Sequence, residues 1–166
     1  MKSIKKTVFF VIIALALIIV AAGSAYTVKP NQAVIITRFG KVTRVNTTTG
    51  LSLHAPFIDN ETYVYTGDYL YDIPTSDVIT SDKKSMIADD YLIWSVNDPI
   101  KYYQSLGAVR GRAEERIEAA VFNATKNIIS SMTQDAIIAA RGSTLTNMIT
   151  EESNSDISQY GVGIRI

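Results

Sequence analysis

The sequence contains no cysteine and a single histidine, and these two shortages remove much of the common side-chain chemistry at once. Without thiols there is no disulfide framework, no thiolate nucleophile and no cysteine metal site. With His54 as the sole imidazole, any Ser–His–acid arrangement must be built at that one position. An excess of charge of one sign is missing as well. Lys plus Arg and Asp plus Glu number 16 each, so there is no basic field of the kind phosphate backbones attract, and no nucleic-acid partner is expected. Proline is limited to 4 residues, and no phosphate-cradling P-loop or GxGxxG turn occurs. Internal repeats and low-complexity segments are absent too.

What the chain does have is one long uncharged run. Residues 7–28 read TVFFVIIALALIIVAAGSAYTV, with Lys2, Lys5 and Lys6 before them and Lys29 after. As a helix this run is about 33 Å long, against a hydrocarbon core of about 30 Å. Tyr26 falls near its far end, where an amphipathic ring suits a membrane interface. The pattern predicts a single-pass transmembrane helix over residues 7–28 behind a short basic cytosolic tail, residues 1–6. A cleaved signal peptide is the rival reading, because Gly23-Ser24-Ala25 follows a strongly apolar core. The short tail is easier to leave in the cytosol, which puts residues 29–166 on the extracytoplasmic side of the plasma (inner) membrane. That portion has 13 basic and 16 acidic residues, a net charge of −3.

Residues 29–166 read as one α+β domain, with a β-rich half, then helices, then a last strand. Residues 33–39 are β-rich, and Gly40-Lys41 turns the chain into 42–45. A polar loop covers 46–50, and Pro56 marks 51–58 as an edge or irregular segment. Tyr63 and Tyr65, then Tyr69 and Tyr71, have the i, i+2 spacing of a strand face, with Gly67-Asp68 as a bend between them. Residues 74–76 are expected to break that strand. Two further strands, 77–80 and 85–96, flank Ser81-Asp82-Lys83-Lys84. In the second, Met86, Ala88, Leu92, Trp94 and Val96 share one side, with Asp90 as the exception, while Ile87, Tyr91 and Ile93 lie opposite. Both faces are partly apolar, so the strand is expected to be central and covered on each side. Asp98-Pro99 and Gly107 then frame a short helix. An amphipathic stripe of Ala113, Ile117, Ala120, Val121, Ala124, Ile128 and Met132 follows. Thr133 caps a brief turn over 135–141. Ser143 is expected to cap a helix over about 144–158, with Leu145, Met148 and Ile149 inward, and residues 162–166 alternate as a strand.

No catalytic, cofactor-binding or metal-ligating residue is assigned. His54 has Ser52 as its nearest hydroxyl and Asp59 as its nearest acid, with no GxSxG elbow, and reads as structural. Lys84 and Ser85 are strand neighbours and point apart, as do Asp89 and Asp90. Asp77, Asp82 and Asp89 lack the spacing of a calcium loop. Asn46-Thr47-Thr48, Asn60-Glu61-Thr62 and Asn123-Ala124-Thr125 match the glycosylation triplet, which has meaning only in a eukaryotic secretory pathway. Glu114, Glu115, Arg116 and Glu118 form a charged helix face, either solvated or a protomer contact.

These residues together resemble a known family. The segment VKPNQAVIITRFGKV (28–42), following a basic tail and an apolar run, resembles the opening of SPFH, or band 7, domains of the prohibitin and stomatin kind. The likeness continues at Gly50-Leu51, Pro56-Phe57-Ile58, Asp90-Tyr91 through Trp94 to Asp98-Pro99, Tyr102-Tyr103, Ala139-Ala140-Arg141-Gly142 and Tyr160-Gly161-Val162. The resemblance implies a non-enzymatic, membrane-anchored scaffold with no cofactor. It also implies contact with membrane lipid, oligomerisation with an HflK-like SPFH paralogue, and modulation of an FtsH-type membrane AAA+ protease. The aromatic segments 57–71 are expected to dock at the lipid headgroups. Family domains run past the final strand into a long oligomer-building helix, so residues 29–166 are expected to be a domain incomplete at its C-terminus. The alternatives are a stomatin- or flotillin-like lipid-domain scaffold without a protease partner, an extracytoplasmic ligand-binding domain, and a secreted hydrolase.

Overall fold

The computed structural model describes residues 2–166; the side chains of residues 2–8, 16 and 17 lie outside the described set, and with them the basic tail of Lys2, Lys5 and Lys6. The chain divides into two compact units, Met1–Tyr65 and Thr66–Ile166.

The first unit begins with helix α1, Lys2–Gly23. The helix stops five residues before Val28, and Ala25–Val28 form strand β1 instead, with Tyr26 and Val28 buried. The expectation of one apolar helix to Val28, with Tyr26 at an interface, is corrected by this. A run of uncharged residues does not by itself reveal where a helix hands over to a buried strand. Among the described residues no helix is long and apolar enough to cross a membrane.

Strands β2 (Gln32–Arg38), β3 (Lys41–Asn46) and β5 (Asp59–Tyr65) make an antiparallel sheet in the order β3-β2-β5. The β2–β3 turn has Phe39 and Gly40 at φ 50 and 80. Positive φ at both central residues is the hairpin geometry whose twist matches that of paired strands. β4 (Gly50–Leu53) pairs only with β1. Tyr26 and Val28 of β1 pack on Val34 and Ile36 of β2, which sets the two-stranded ribbon against the sheet.

The second unit is built on a long hairpin, β6 (Tyr69–Ile79) with β7 (Ser85–Val96), extended by the short β8 (Ile164–Arg165). Residues 74–76 do not end the strand as expected. The register shifts between Ile73 and Ser76, a bulge that takes Pro74 without stopping the pairing. Helices α2 (Pro99–Leu106), α3 (Arg110–Ser131), α4 (Gln134–Ala140) and α5 (Ser143–Gln159) follow. Asp98 caps α2 through the amides of Ile100 and Lys101, and Gly107 closes it in the left-handed region. The predicted stripe of α3 is buried from Ala113 to Ile128. Thr133 Oγ1 accepts from the Ala136 amide at the start of α4. In α5 two expectations fail. Gly142, at φ 101, is the cap rather than Ser143, and Met148 is exposed while Ser153 and Ile157 are buried.

The core of this unit lies on one face of the hairpin. Trp94 is stacked on Tyr69 with ring centroids 4.5 Å apart. Val78, Ile129 and Ile137 form a second cluster, packed by Met86, Ala88, Met132 and Leu145. The opposite face of β7 is open: Ile87 is 73% and Tyr91 77% exposed. The expectation that this strand is covered on both sides is therefore corrected.

Gly163 explains how β8 is held. Its carbonyl accepts from the amides of Asn97 and Asp98 at 3.1 and 3.0 Å. A Cβ on it would lie 2.3 Å from the Asp98 carbonyl oxygen, so only glycine fits at its φ of +74.

Candidate functional site

The residues singled out for chemistry do not assemble a catalytic centre. His54 Nε2 lies 2.7 Å from Glu61 Oε1, and the Tyr63 hydroxyl donates to the other oxygen of Glu61. Tyr26 meets the imidazole edge-on at 5.7 Å. Ser52 Oγ instead accepts from Asn46 Nδ2 at 2.6 Å, and Asp59 is held by Arg38. The three candidate triad members are thus each bonded to something else. The hydrogen bond to Glu61 pushes the Tyr63 hydroxyl up to about 12, which leaves it a fixed donor rather than a proton-transfer group.

Lys84 Nζ pairs with Asp82 Oδ2 at 3.0 Å, not with Ser85. Asp82 Oδ1 also accepts from Thr80 Oγ1 at 2.6 Å and from the Gln134 amide at 3.1 Å. These bonds, first that of Thr80 and then that of Lys84, lower its carboxyl from 3.8 to about 2. Asp82 is thereby a clamp between the β6–β7 turn and the start of α4. Asp89 is exposed, whereas Asp90 is half-buried and accepts from Thr125 Oγ1 at 3.4 Å. Burial raises the Asp90 carboxyl above its ordinary value. A crevice of about 310 Å³ opens beside it, lined by Leu92, Val121, Thr146, Ile149 and Thr150. Its size is at the lower bound of small-molecule sites, roughly 300 Å³, and it gathers no convergent set of charged groups. Among the described residues no cluster of His, Asp and Glu has the arrangement of a metal site.

On the charged face of α3, Glu114 pairs with Arg110 at 2.7 Å and Glu118 accepts from the Tyr71 hydroxyl at 2.8 Å. Arg116 lies over the Tyr160 ring at 5.5 Å. These contacts fix elements within the second unit. Of the glycosylation triplets, Asn60 and Asn123 are exposed, while Asn46 is partly buried and bonded to Ser52 and Tyr26.

An apolar tip on the first unit joins Phe57 and Ile58, from the stretch 57–71 expected to dock at headgroups, to Phe39, which the sequence did not single out. The β2–β5 register ends at Arg38 opposite Asp59. Phe39 follows the first of these and Phe57-Ile58 precede the second, so the register brings both turns to one end of the sheet. Phe39 is 87% and Phe57 86% exposed, each at positive φ (50 and 68), with Ile58 beside them also exposed. Such backbone is uncommon outside glycine and persists only where the surroundings hold it. Here the holding group is Asp59. Its carboxylate accepts from Arg38 Nε at 2.8 Å and from the Ala55 amide at 3.0 Å, and the Arg38 bond draws its pKa down.

Helix α1 leaves from the same end. The His54 amide donates to the Ser24 carbonyl at 2.8 Å, and a Cβ at Gly23 would touch Pro56 at 3.5 Å. Apolar side chains of α1, among them Phe9, Phe10, Ile12 and Ile18, are themselves exposed. Between strands and tip lies a crevice of about 390 Å³ with Arg38, Arg44 and His54 in its walls. Aromatic tips framed by cations, next to an exposed apolar helix, make an arrangement suited to a lipid–water boundary. The legible signal was the pairing of two X-Phe turns, RFGK and APFI; their meeting depended on register.

Residues 26–165 match the family model for "SPFH domain / Band 7 family". The chain is 30% identical over 132 residues to "Protein HflC" of Treponema pallidum (strain Nichols), covering 79% of this chain and 38% of that protein. It is 29% identical over 109 residues to "Modulator of FtsH protease HflC" of Escherichia coli (strain K12), covering 62% of this chain and 32% of that protein. It is 30% identical over 96 residues to "Protein HflC" of Buchnera aphidicola subsp. Schizaphis graminum (strain Sg), covering 54% and 31%. The aligned parts thus span about a third of each of these relatives.

Proposed function

The chain belongs to the SPFH domain / Band 7 family, and from that membership we propose that it is a membrane-tethered, non-catalytic scaffold of the HflC kind. In this reading it assembles with an HflK-like SPFH paralogue and modulates an FtsH-type membrane AAA+ protease. The modulator role is carried over from the name of the E. coli relative. The observation that carries the tether is the first unit itself. Its exposed apolar helix and its aromatic tip lie at one end, with Arg38, Lys41 and Arg44 close by in sequence and register.

Residues 7–23 are uncharged, and a helix of that length reaches about 25 Å, near the lower end of what spans a hydrocarbon core. Headgroup contact by Phe39, Phe57 and Ile58 would extend the apolar anchorage beyond the helix, each ring adding area removed from water. The short basic tail stays cytosolic and the two folded units lie outside. Tethered copies sharing one plane raise their mutual effective concentration, so weak side contacts suffice for assembly.

Membranes from cells making the full chain test this directly. The protein should resist high-salt and alkaline washes, come out with mild detergent in a large particle, and carry an SPFH paralogue and an AAA+ protease with it. Release by salt alone would overturn the tether. A small particle free of any protease would overturn the modulator role and leave a lipid-domain scaffold. A C-terminal reporter active only in the cytosol would reverse the orientation.

A further inference from the structure

The helices of the second unit cover one face of the β6–β7 hairpin and leave the other bare. The register sets Leu70 opposite Ile93, Asp72 opposite Tyr91 and Asp77 opposite Ile87. By alternation Leu70, Ile79, Ile87, Tyr91 and Ile93 therefore share this face with Asp72, Asp77 and Asp89, and all eight are exposed. A strand with one wet face ordinarily alternates apolar inside with polar outside. Here the wet face is itself mostly aliphatic and aromatic, a contiguous patch of the kind that marks an interaction surface.

Its charge narrows the occupant. The 11 residues of β6 and the 12 of β7 contain no lysine and no arginine. β8 adds one cation, exposed Arg165 opposite Ser95 on this face, so the face is apolar with three carboxylates against one guanidinium and a net negative charge. An anionic lipid surface would be repelled by it, and a second copy docked face to face would set carboxylates against carboxylates.

We propose that this face docks an amphipathic, basic segment of a different polypeptide. Aliphatic side chains of that segment lie over Leu70, Ile87, Tyr91 and Ile93, and its lysines or arginines meet Asp72, Asp77 and Asp89. The inference rests on the scaffold reading in taking a protein as partner, and it adds the surface and the chemistry of the contact. It concerns a different unit from the lipid-facing tip, so the two are separable.

The test places a photo-crosslinking p-benzoylphenylalanine at Tyr91 of the full chain, in membranes of cells that express it, with the same group at exposed Ile138 of α4 as the control. The expected product joins Tyr91 to another polypeptide. The joined segment, mapped by mass spectrometry, should alternate Lys or Arg with aliphatic residues. The combined Asp72→Lys, Asp77→Lys, Asp89→Lys variant should lower the yield about tenfold, with the Asn triple variant in between, as expected for rim charges that steer docking. Trp94 fluorescence checks that both variants fold. Crosslinks to a second copy, to lipid or to an acidic segment would overturn the proposal. So would a yield equal to that at Ile138, or one indifferent to the three aspartates. A chain still held in the membrane but silent at position 91 would overturn this inference while leaving the tether in place.

Discussion

In the first unit Phe39, Phe57 and Ile58 stand exposed on turn tips at one end of a sheet, with Arg38, Lys41 and Arg44 close by. In the second the exposed apolar side chains of β6 and β7 lie flat across a sheet face and are interleaved with aspartate. Both arrangements leave large apolar groups in water, yet the geometry differs in what it can engage. A tip penetrates a soft boundary and needs no complementary shape. A flat face gains only when a second surface of matching pattern is laid on it. Opposite charge beside each points the same way: cations toward anionic headgroups, carboxylates toward a basic partner.

The largest test of this comparison is whether the two units are physically separate. Gly163→Ala forces a Cβ to within 2.3 Å of the Asp98 carbonyl oxygen and should cost the second unit about 3 kcal/mol. Trp94 is the sole tryptophan and lies in this unit, so its fluorescence in denaturant reports that loss alone. A second transition seen by circular dichroism should stay where it was. One merged transition, shifted as a whole, would break the comparison by showing a single cooperative block.

A smaller effect separates tip from face. Because the chain has no cysteine, single-cysteine variants label cleanly. In reconstituted full-length protein, dyes at Phe39→Cys and Phe57→Cys should be about fivefold less accessible to an aqueous quencher than a dye at Tyr91→Cys, the outcome expected if only the tip enters the interface. Equal quenching at all three positions would remove the distinction.

The smallest effect concerns acid. The folded pKa of Asp82 is lowered from 3.8 to about 2, so its contribution to stability is present above pH 3.8 and is lost as pH falls through about 2. Asp90 has the opposite sign: burial raises its pKa, so its charged form weakens the fold at neutral pH and protonation relieves it. Asp82→Asn should therefore lower the Trp94-detected melting temperature by a few degrees at pH 7 and flatten its decline in acid. Asp90→Asn should raise it slightly. Melts at pH 7 and pH 3 read both signs.

Local structure was legible where one residue type enforces one conformation. Asp98-Pro99 and Gly107 bounded α2, Gly40 turned the β2–β3 hairpin, and the 3.6-residue stripe of α3 became its buried side. Legibility failed where neighbours decide. Ala25–Val28 looked like the end of a helix because buried strand and apolar helix share a composition; pairing with β4 made it a strand. Pro74 looked like a terminator because a lone strand cannot say whether its bulge will be tolerated at an edge. The candidate chemistry around His54 dissolved because Arg38 holds Asp59, the nearest acid in sequence, and Glu61, two residues further on, claims the imidazole Nε2.

Composition and local pattern by themselves determined that this protein has no thiol or metal chemistry built on cysteine, an uncharged N-terminal run, an α+β order and the motifs of its family. Those follow from residue types and short spacings, which act without knowledge of distant chain. Tertiary structure alone decided that Phe39 and Phe57 meet at one end, and that Ile87, Tyr91 and Ile93 stay uncovered. Both depend on strand register and on which face the helices choose, and these are settled by contacts between segments far apart in sequence.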